Sequence, residues 1–497
     1  MKQSNIILAI ILVCSFFTSC SKEDKIEPIV IVQTPLVEYS YSPEEVRAEQ
    51  EINFNAKFLT GSSVITSWNW SFGDAAESTS NKQNAVFTYA EEGTYTVTLT
   101  ATDADDETML VSKEITVLEA LQGALEANVV WSFTTETEIS NNNDGSSSPV
   151  IDNEGVVYYL ESFAVADSKL IAVNDLGTSV TKKWQAELGY NLRNAPAIDL
   201  DGNIYIGAWH ANGLRKIKAT DGSQLWEAAT NSGISNSTTA IDANGNTYFG
   251  TRSEGIQSWD TNGALRWAYN SPVSGARYYI SPVLSEDGST LYASITGGQF
   301  FAINTADGTL KWSNVVEFSG DTTGSSFSLD ADGTVYFTTT EEVVAVTDNG
   351  TTGSVKWRYT TTGANSSGVV VDNSGKAYVG SASGLISLNI ADGTENWTYD
   401  AIAVEESVPA IDSEGNIYSG TNDGRLVILN PLGELVKELN LTNGTVHSPT
   451  IADNGSVYVE AYGDSMITLF KIEVKTSEGP LNSYWPMKGK NRYNRAF

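Results

Sequence analysis

Apolar and polar residues alternate with period two along most of this chain, the spacing of β-strands buried on one face. In the run Thr94-Tyr95-Thr96-Val97-Thr98-Leu99-Thr100, Tyr95, Val97 and Leu99 share one face and the threonines the other. From about Pro149 to Glu460 the alternation is punctuated by a recurring phrase, fullest at Pro196 to Gly207 as PAIDLDGNIYIG. It reads as a short strand, an Asp-Gly or Asn-Gly turn that supplies the positive-φ positions a hairpin needs, and a second strand. The turn glycines are Gly155, Gly202, Gly245, Gly288, Gly333, Gly375, Gly415 and Gly455, so the period is 40 to 47 residues. Each unit continues into a third strand, a further turn and a fourth strand, which carries Trp184, Trp226, Trp267, Trp312, Trp357 or Trp397. Four short strands at this period predict propeller blades, with each indole filling space between neighbouring sheets.

The array is imperfect at its end. Unit seven has Lys437 in the tryptophan place, or Leu439 after a two-residue shift, and unit eight is followed by no tryptophan strand. Val129-Val130-Trp131-Ser132-Phe133 has the opposite defect, a fourth strand with no unit before it. Pairing it with the strands of Ile451 to Val474 closes the ring and removes an open sheet edge. The expected class is all-β, a small β-sandwich followed by an eight-bladed β-propeller. The expected segments are 1–19 (signal peptide), 20–35 (tether), 36–118 (sandwich), 119–128 (linker), 129–474 (propeller) and 475–497 (tail packed on the propeller).

Composition narrows the function. With 29 basic against 61 acidic residues the formal charge is −32, which disfavours nucleic acid and anionic lipid as partners. The acidity is that of a solvated surface, with bound Ca²⁺ as the alternative; the Asp-x-Asp-Gly runs lack the full oxygen-ligand series of a calcium loop and read as turns. The apolar run Ile6 to Phe17 after Lys2 has secretory-signal length and is too short to span a bilayer. Phe17-Thr18-Ser19-Cys20 resembles a bacterial lipobox, which implies a diacylated Cys20 as lipid anchor. Val13 before Cys14 is too bulky for that role. The charged Ser21 to Lys25 is similar to the post-cysteine signal of Bacteroidetes-type lipoproteins, implying the outer membrane, surface-exposed, with a periplasm-facing anchor as the alternative. Cleavage there leaves Cys20 as the sole cysteine, so no internal disulfide is expected.

Trp68-Asn69-Trp70-Ser71-Phe72-Gly73-Asp74, Phe87-Thr88-Tyr89 and Gly93-Thr94-Tyr95-Thr96-Val97 together resemble the PKD family, with Ala75 and Phe87 as departures. The resemblance implies an Ig-like sandwich used as a spacer or carbohydrate-associated module, with Trp70 and Phe72 in its core. The repeat phrase resembles the pyrroloquinoline-quinone-type propeller, which includes the lipoprotein propeller of the barrel-assembly machinery. Dehydrogenases of that family hold the quinone beside a Cys-Cys disulfide and a Ca²⁺ cluster; a lone Cys20 excludes that arrangement, and no cofactor is expected. Tyr484 to Asn494 is similar to the W-P-M-x-G-x-N segment flanking many such propellers. Its Lys488, Lys490, Arg492 and Arg495 read as a tail docked on the acidic propeller, or as a partner-binding tail.

Ligand specificity belongs where the phrase fails to repeat on the loop face. The expected ligand residues are Tyr190, Arg193, Trp209, His210, Arg252, Arg277, Tyr278, Tyr279 and His447, with Glu405, Glu406 and Tyr462 on the same loops; aromatics with arginine stack on sugars and bind acidic substituents. The expected protein is therefore a monomeric, non-catalytic binder of polysaccharide or another envelope ligand. Two alternatives stand beside it. One is an envelope-protein scaffold of the barrel-assembly type. The other is a propeller-type polysaccharide lyase in which His210, Arg193 and Tyr278 abstract a proton beside a uronate.

Overall fold

In a computed structural model of the chain, the described residues are 36–42, 46–48, 51–60, 64–118, 125–135, 147–161, 168–189, 194–207, 213–230, 233–234, 238–322, 326–361, 367–400, 403–404, 407–475, 479–483 and 486–491. They form two compact units divided at Leu121/Gln122, and all their regular elements are strands.

The first unit is a sandwich. One sheet holds Leu36–Ser42, Glu51–Thr60 and Asn84–Thr88; the other orders Val46–Arg47, Thr108–Leu118, Gly93–Asp103, Ile65–Ser71 and Thr79–Ser80. Trp70, Phe72, Tyr39, Phe54 and Tyr89 are buried between them, while Trp68 is half-buried at the edge of this cluster. The polar tips of these aromatics are satisfied by backbone: Tyr89 Oη donates to Phe72 O at 2.6 Å, Tyr39 Oη to Val97 O at 2.8 Å and Trp70 Nε1 to Lys82 O at 2.8 Å. Burial without such partners would cost about 1–3 kcal/mol per group.

In the second unit, units 1 to 7 of the repeat each form a four-stranded antiparallel sheet with strands in chain order. Unit 2 is typical, with Ala197–Ile198, Ile204–Gly207, Leu214–Ile217 and Gln224–Glu227. This order puts the turns after the first and third strands at one end of each sheet, the hairpin end. The turns after the second strand and the connections to the next sheet lie at the other, the loop end. Unit 8 contributes Thr445–Val446, Thr450–Ile451, Val457–Gly463 and Met466–Val474, and its sheet is completed by Ala127–Thr134, which pairs antiparallel with Met466–Val474. The strand expected from Val129 thus begins at Ala127, and Leu125 is already buried in the core of units 7 and 8.

The repeat phrase makes its own hairpin. Asp199 Oδ1 accepts the amides of Asp201 (3.0 Å) and Asn203 (2.8 Å), and its other oxygen accepts the hydroxyl of buried Tyr205 at 3.2 Å. Asp152, Asp242, Asp330, Asp372 and Asp412 repeat the arrangement with Tyr158, Tyr248, Tyr336, Tyr378 and Tyr418. Hydroxyls before the first strands link neighbours around the ring: Ala195 N donates to Thr238 Oγ1, Thr238 N to Ser281 Oγ and Val408 N to Ser448 Oγ. Across the closure Thr450 Oγ1 donates to Pro149 O at 2.7 Å.

Five of the six tryptophans dock on the third-to-fourth-strand turn of the following unit; Trp312, expected in a fourth strand, lies ahead of that strand (Val316–Glu317) and donates to Asp348 Oδ1 at 2.9 Å, at the end of the next unit's third strand. Trp184 Nε1 donates to Ala219 O at 2.8 Å, Trp226 to Thr261 O at 3.0 Å, Trp267 to Thr305 O at 2.9 Å, Trp357 to Ile390 O at 2.8 Å and Trp397 to Pro431 O at 3.1 Å. The ring lies flat on a turn glycine. At Gly222, φ is +74° and a Cβ would come within 2.6 Å of the Trp184 ring, so both conformation and contact demand glycine. By strand register it is Lys437, paired with Ile428, that takes the tryptophan place in unit 7. The reason is the split of unit 8: its third strand ends at Val474 and its fourth begins at Ala127, so no turn exists there to receive an indole. The two chain segments meet instead through Lys475 N to Glu126 O (3.1 Å) and a Lys475–Glu126 ion pair, with Lys437 also acting on the Glu126 carboxylate.

The tail lies on the propeller. Leu481 N donates to Ile411 O, Ile411 N to Pro486 O, and Ser413 N to Gly479 O, all at the first strand of unit 7. Ser483 Oγ reaches Val371 O of unit 6 at 2.9 Å, Met487 is buried in the core of units 7 and 8, and Lys488 is enclosed.

Candidate ligand-binding site

Tyr190, Arg193, Trp209, His210, Glu405 and Glu406 lie outside the described residues, as do Cys20, Arg492 and Arg495. Of the rest, Arg252 and Arg277 are exposed at the loop end. Their loops are stitched together: Tyr278 N donates to Thr251 O at 3.2 Å, Arg252 N to Gly233 O at 3.0 Å and Thr296 N to Arg277 O at 2.9 Å. The guanidinium of Arg277 lies 5.8 Å from the centre of the Tyr279 ring.

Tyr278, Tyr279 and His447, expected as ligand contacts, are buried rather than exposed. Tyr278 is 2% exposed and its hydroxyl accepts the Ser271 amide at 2.7 Å, fixing the loop from below; Tyr279 is 6% exposed. The physical reason is local: the connection from unit 3 to unit 4 must cover the apolar core around Ile280, and its aromatics supply the cover. Tyr462 is half-buried.

His447 is 8% exposed and belongs to a different constellation: its N donates to Glu460 O at 2.9 Å and its O accepts Ser407 Oγ of unit 7 at 3.4 Å, while the Glu460 side chain faces unit 1. Burial, and then the nearby ammonium of Lys488, push its imidazole down to about 4. Glu460 is 2% exposed; burial pushes its carboxyl up to about 8, against the Leu160 amide, Lys488 and Ser147 Oγ (3.4 Å). Burial likewise lowers Lys488 to about 8, opposed by Glu460. On unit 1, Glu161 pairs with Lys169 at 3.5 Å, and burial still raises its carboxyl. The fully buried Tyr159 phenol is acted on by both Glu161 and Glu460. Among the described residues, Tyr159 Oη, Glu161 Oε1 and His447 Nδ1 have no hydrogen-bond partner.

A sequence signal for this cluster existed. The phrase ends Tyr-x-Gly at Gly207, Gly250, Gly380 and Gly420. At the last three a Cβ would collide with the backbone carbonyls of Tyr278, Val404 and Val446. Unit 8 reads Tyr458-Val459-Glu460, and unit 1 reads Tyr158-Tyr159-Leu160-Glu161. A charged residue at a position reserved for glycine is the sharpest failure of the repeat.

An open cleft of about 540 Å³ lies between units 4 and 5, lined by Tyr292, Lys311 and Asp348 among others, but its floor is internally paired. Among the described residues no group of three or more His, Cys, Asp or Glu is placed to hold a metal ion.

The sheets and their closure define a repeat β-propeller preceded by an Ig-like module. The PKD domain model matches residues 32–117, and the model described as outer membrane protein assembly factor BamB matches 210–403 and 317–480, so the chain belongs to that propeller family. Similar solved structures include BamB from Moraxella catarrhalis (18% identity, TM-score 0.54, covering 71% of this chain and 98% of that one). A europium-containing methanol dehydrogenase (11%, 0.54, 70% and 93%) and Saccharomyces cerevisiae Sqt1 (11%, 0.54, 68% and 98%) share the fold as well. No curated protein sequence matches the chain.

Proposed function

We propose that this protein is a non-catalytic binding protein of the bacterial envelope, an eight-bladed propeller held at the outer membrane by lipid on Cys20 and docking a partner protein at its loop end. The observation that carries this reading is the pair Arg252 and Arg277: exposed on two loops whose backbones are bonded together, in a chain of formal charge −32. A rigid cationic patch on an acidic body selects an acidic partner surface and steers its approach. Membership of the family described as outer membrane protein assembly factor BamB supports a protein as that partner. Glycan binding at the loop face lacks an exposed Tyr278–Tyr279 platform, and the other aromatics expected there, Tyr190 and Trp209, lie outside the described residues.

Cross-linking in cells followed by identification of captured proteins tests the reading. Barrel-assembly components should be recovered with the wild-type chain and lost with Arg252→Glu/Arg277→Glu, at unchanged abundance. Equal recovery by the double variant, or no envelope protein recovered at all, contradicts it.

A further inference from the structure

The seam of units 8 and 1 combines three features. The repeat breaks there, on both sides, into buried polar residues: Glu460, Tyr159 and Glu161 replace small or apolar residues of the phrase. Among the described residues, three enclosed polar atoms, Tyr159 Oη, Glu161 Oε1 and His447 Nδ1, have no hydrogen-bond partner, which weakens the fold unless something polar meets them. The tail, anchored on the first strand of unit 7 near its hairpin end, brings Lys488 to Glu460 and His447, so the cluster is floored from that side.

We propose that this seam is a binding site for a polyhydroxylated ligand, one sugar residue entering from the loop end, held by Tyr159, Glu161, Glu460 and His447 above Lys488. The charges decide the ligand class. Glu161 is paired with Lys169, while burial drives Glu460 toward its protonated, neutral form and Lys488 toward its own neutral form, so the wall holds little net charge. His447 stays neutral at physiological pH because burial and Lys488 both oppose its protonation. What remains on offer is a phenol that donates or accepts, a carboxyl oxygen and an imidazole nitrogen, in a wall of little net charge. Vicinal hydroxyls, each both donor and acceptor, match that set; a phosphate or a cation would bring a charge into an enclosed wall that offers it no opposite one. This site is independent of the Arg252–Arg277 patch, so a protein partner and a sugar ligand can be held together.

The test is calorimetric titration and glycan-array binding of the full chain with a panel of neutral and amino-substituted mono- to tetrasaccharides. Tyr159→Phe removes only the hydroxyl, and Glu460→Gly restores the residue that other units carry, so both variants should fold; Glu161→Gln is the third. A saccharide bound by the wild type should bind about tenfold more weakly, or worse, to each variant whose melting temperature is retained. Equal affinity in Tyr159→Phe and Glu460→Gly overturns the site. So does a rise in their melting temperatures with no saccharide bound by the wild type, which marks the cluster as merely solvated. Arg252→Glu/Arg277→Glu should leave saccharide affinity unchanged.

Discussion

Two aspartates do at the residue level what no other unit requires. Units 4 and 8 lack the hairpin aspartate, carrying Ser285 and Ala452 in its place. Their tyrosines reach across to the next unit instead: Tyr292 Oη donates to Asp348 at 2.6 Å and Tyr458 Oη to Asp175 at 2.5 Å. Each carboxylate also takes an indole, Trp312 or Trp131 at 2.9 Å, and an ammonium, Lys311 at 2.9 Å or Lys471 at 2.8 Å. Burial alone would raise both carboxyls, but the donors outweigh it and hold them below the usual carboxylate range. Their stabilisation is therefore complete above the unfolded pKa and is lost as pH falls through the lower folded one. Asp175→Ala strands the Lys471 ammonium, whose side chain is 4% exposed, and should cost about 3 kcal/mol or more by chemical denaturation. Asp348→Ala, beside the more exposed Lys311, should cost less.

His447 adds a second acid sensitivity with a different window. Its folded pKa is depressed, so between about 6.5 and about 4 the unfolded chain takes up a proton that the folded chain refuses, and stability falls with pH across that range. His447→Gln should flatten the urea-midpoint profile between pH 6.5 and 4; an unchanged slope contradicts the assignment. The aspartate turns were legible in the sequence because the same short-range geometry recurs unit after unit. The seam was not, because it takes Lys488 arriving from the tail to bring an ammonium to bear on Glu460 and His447, a contact no local pattern announces. Glu460 was legible as a broken Tyr-x-Gly but is inconspicuous when attention rests on aromatic and cationic loop residues.

Among the elements, the fourth strand of each unit acts through the turn that follows it in the next. Trp267→Ala should cost about 3–5 kcal/mol, since it removes a buried indole, its bond to Thr305 and its cover over Gly308. Lys437→Trp should give no comparable gain in melting temperature, because unit 8 presents the ends of two strands from distant parts of the chain where other units present a glycine turn. Equal stabilisation by Lys437→Trp would contradict the docking account. The missing tryptophan was visible in the sequence, and so was the orphan strand at Trp131. Their common cause, one split sheet, needed the pairing of residues far apart in the chain.

At the scale of the molecule, closure depends on Ala127–Thr134. Deleting it should expose the edge of Met466–Val474 and sharply lower the melting temperature of the propeller, while the sandwich, compact in itself, keeps its own transition. The same pairing sets a clock. Thr134 and Thr468, whose hydroxyls meet at 3.0 Å in the closed sheet, are 334 residues apart in sequence. At about 5–20 residues per second of synthesis, the first-made strand waits on the order of 20–70 seconds for its partner. Throughout that interval an apolar, unpaired strand is held by nothing from its own sheet, so the nascent protein's need for chaperones should peak late and end abruptly with the last unit.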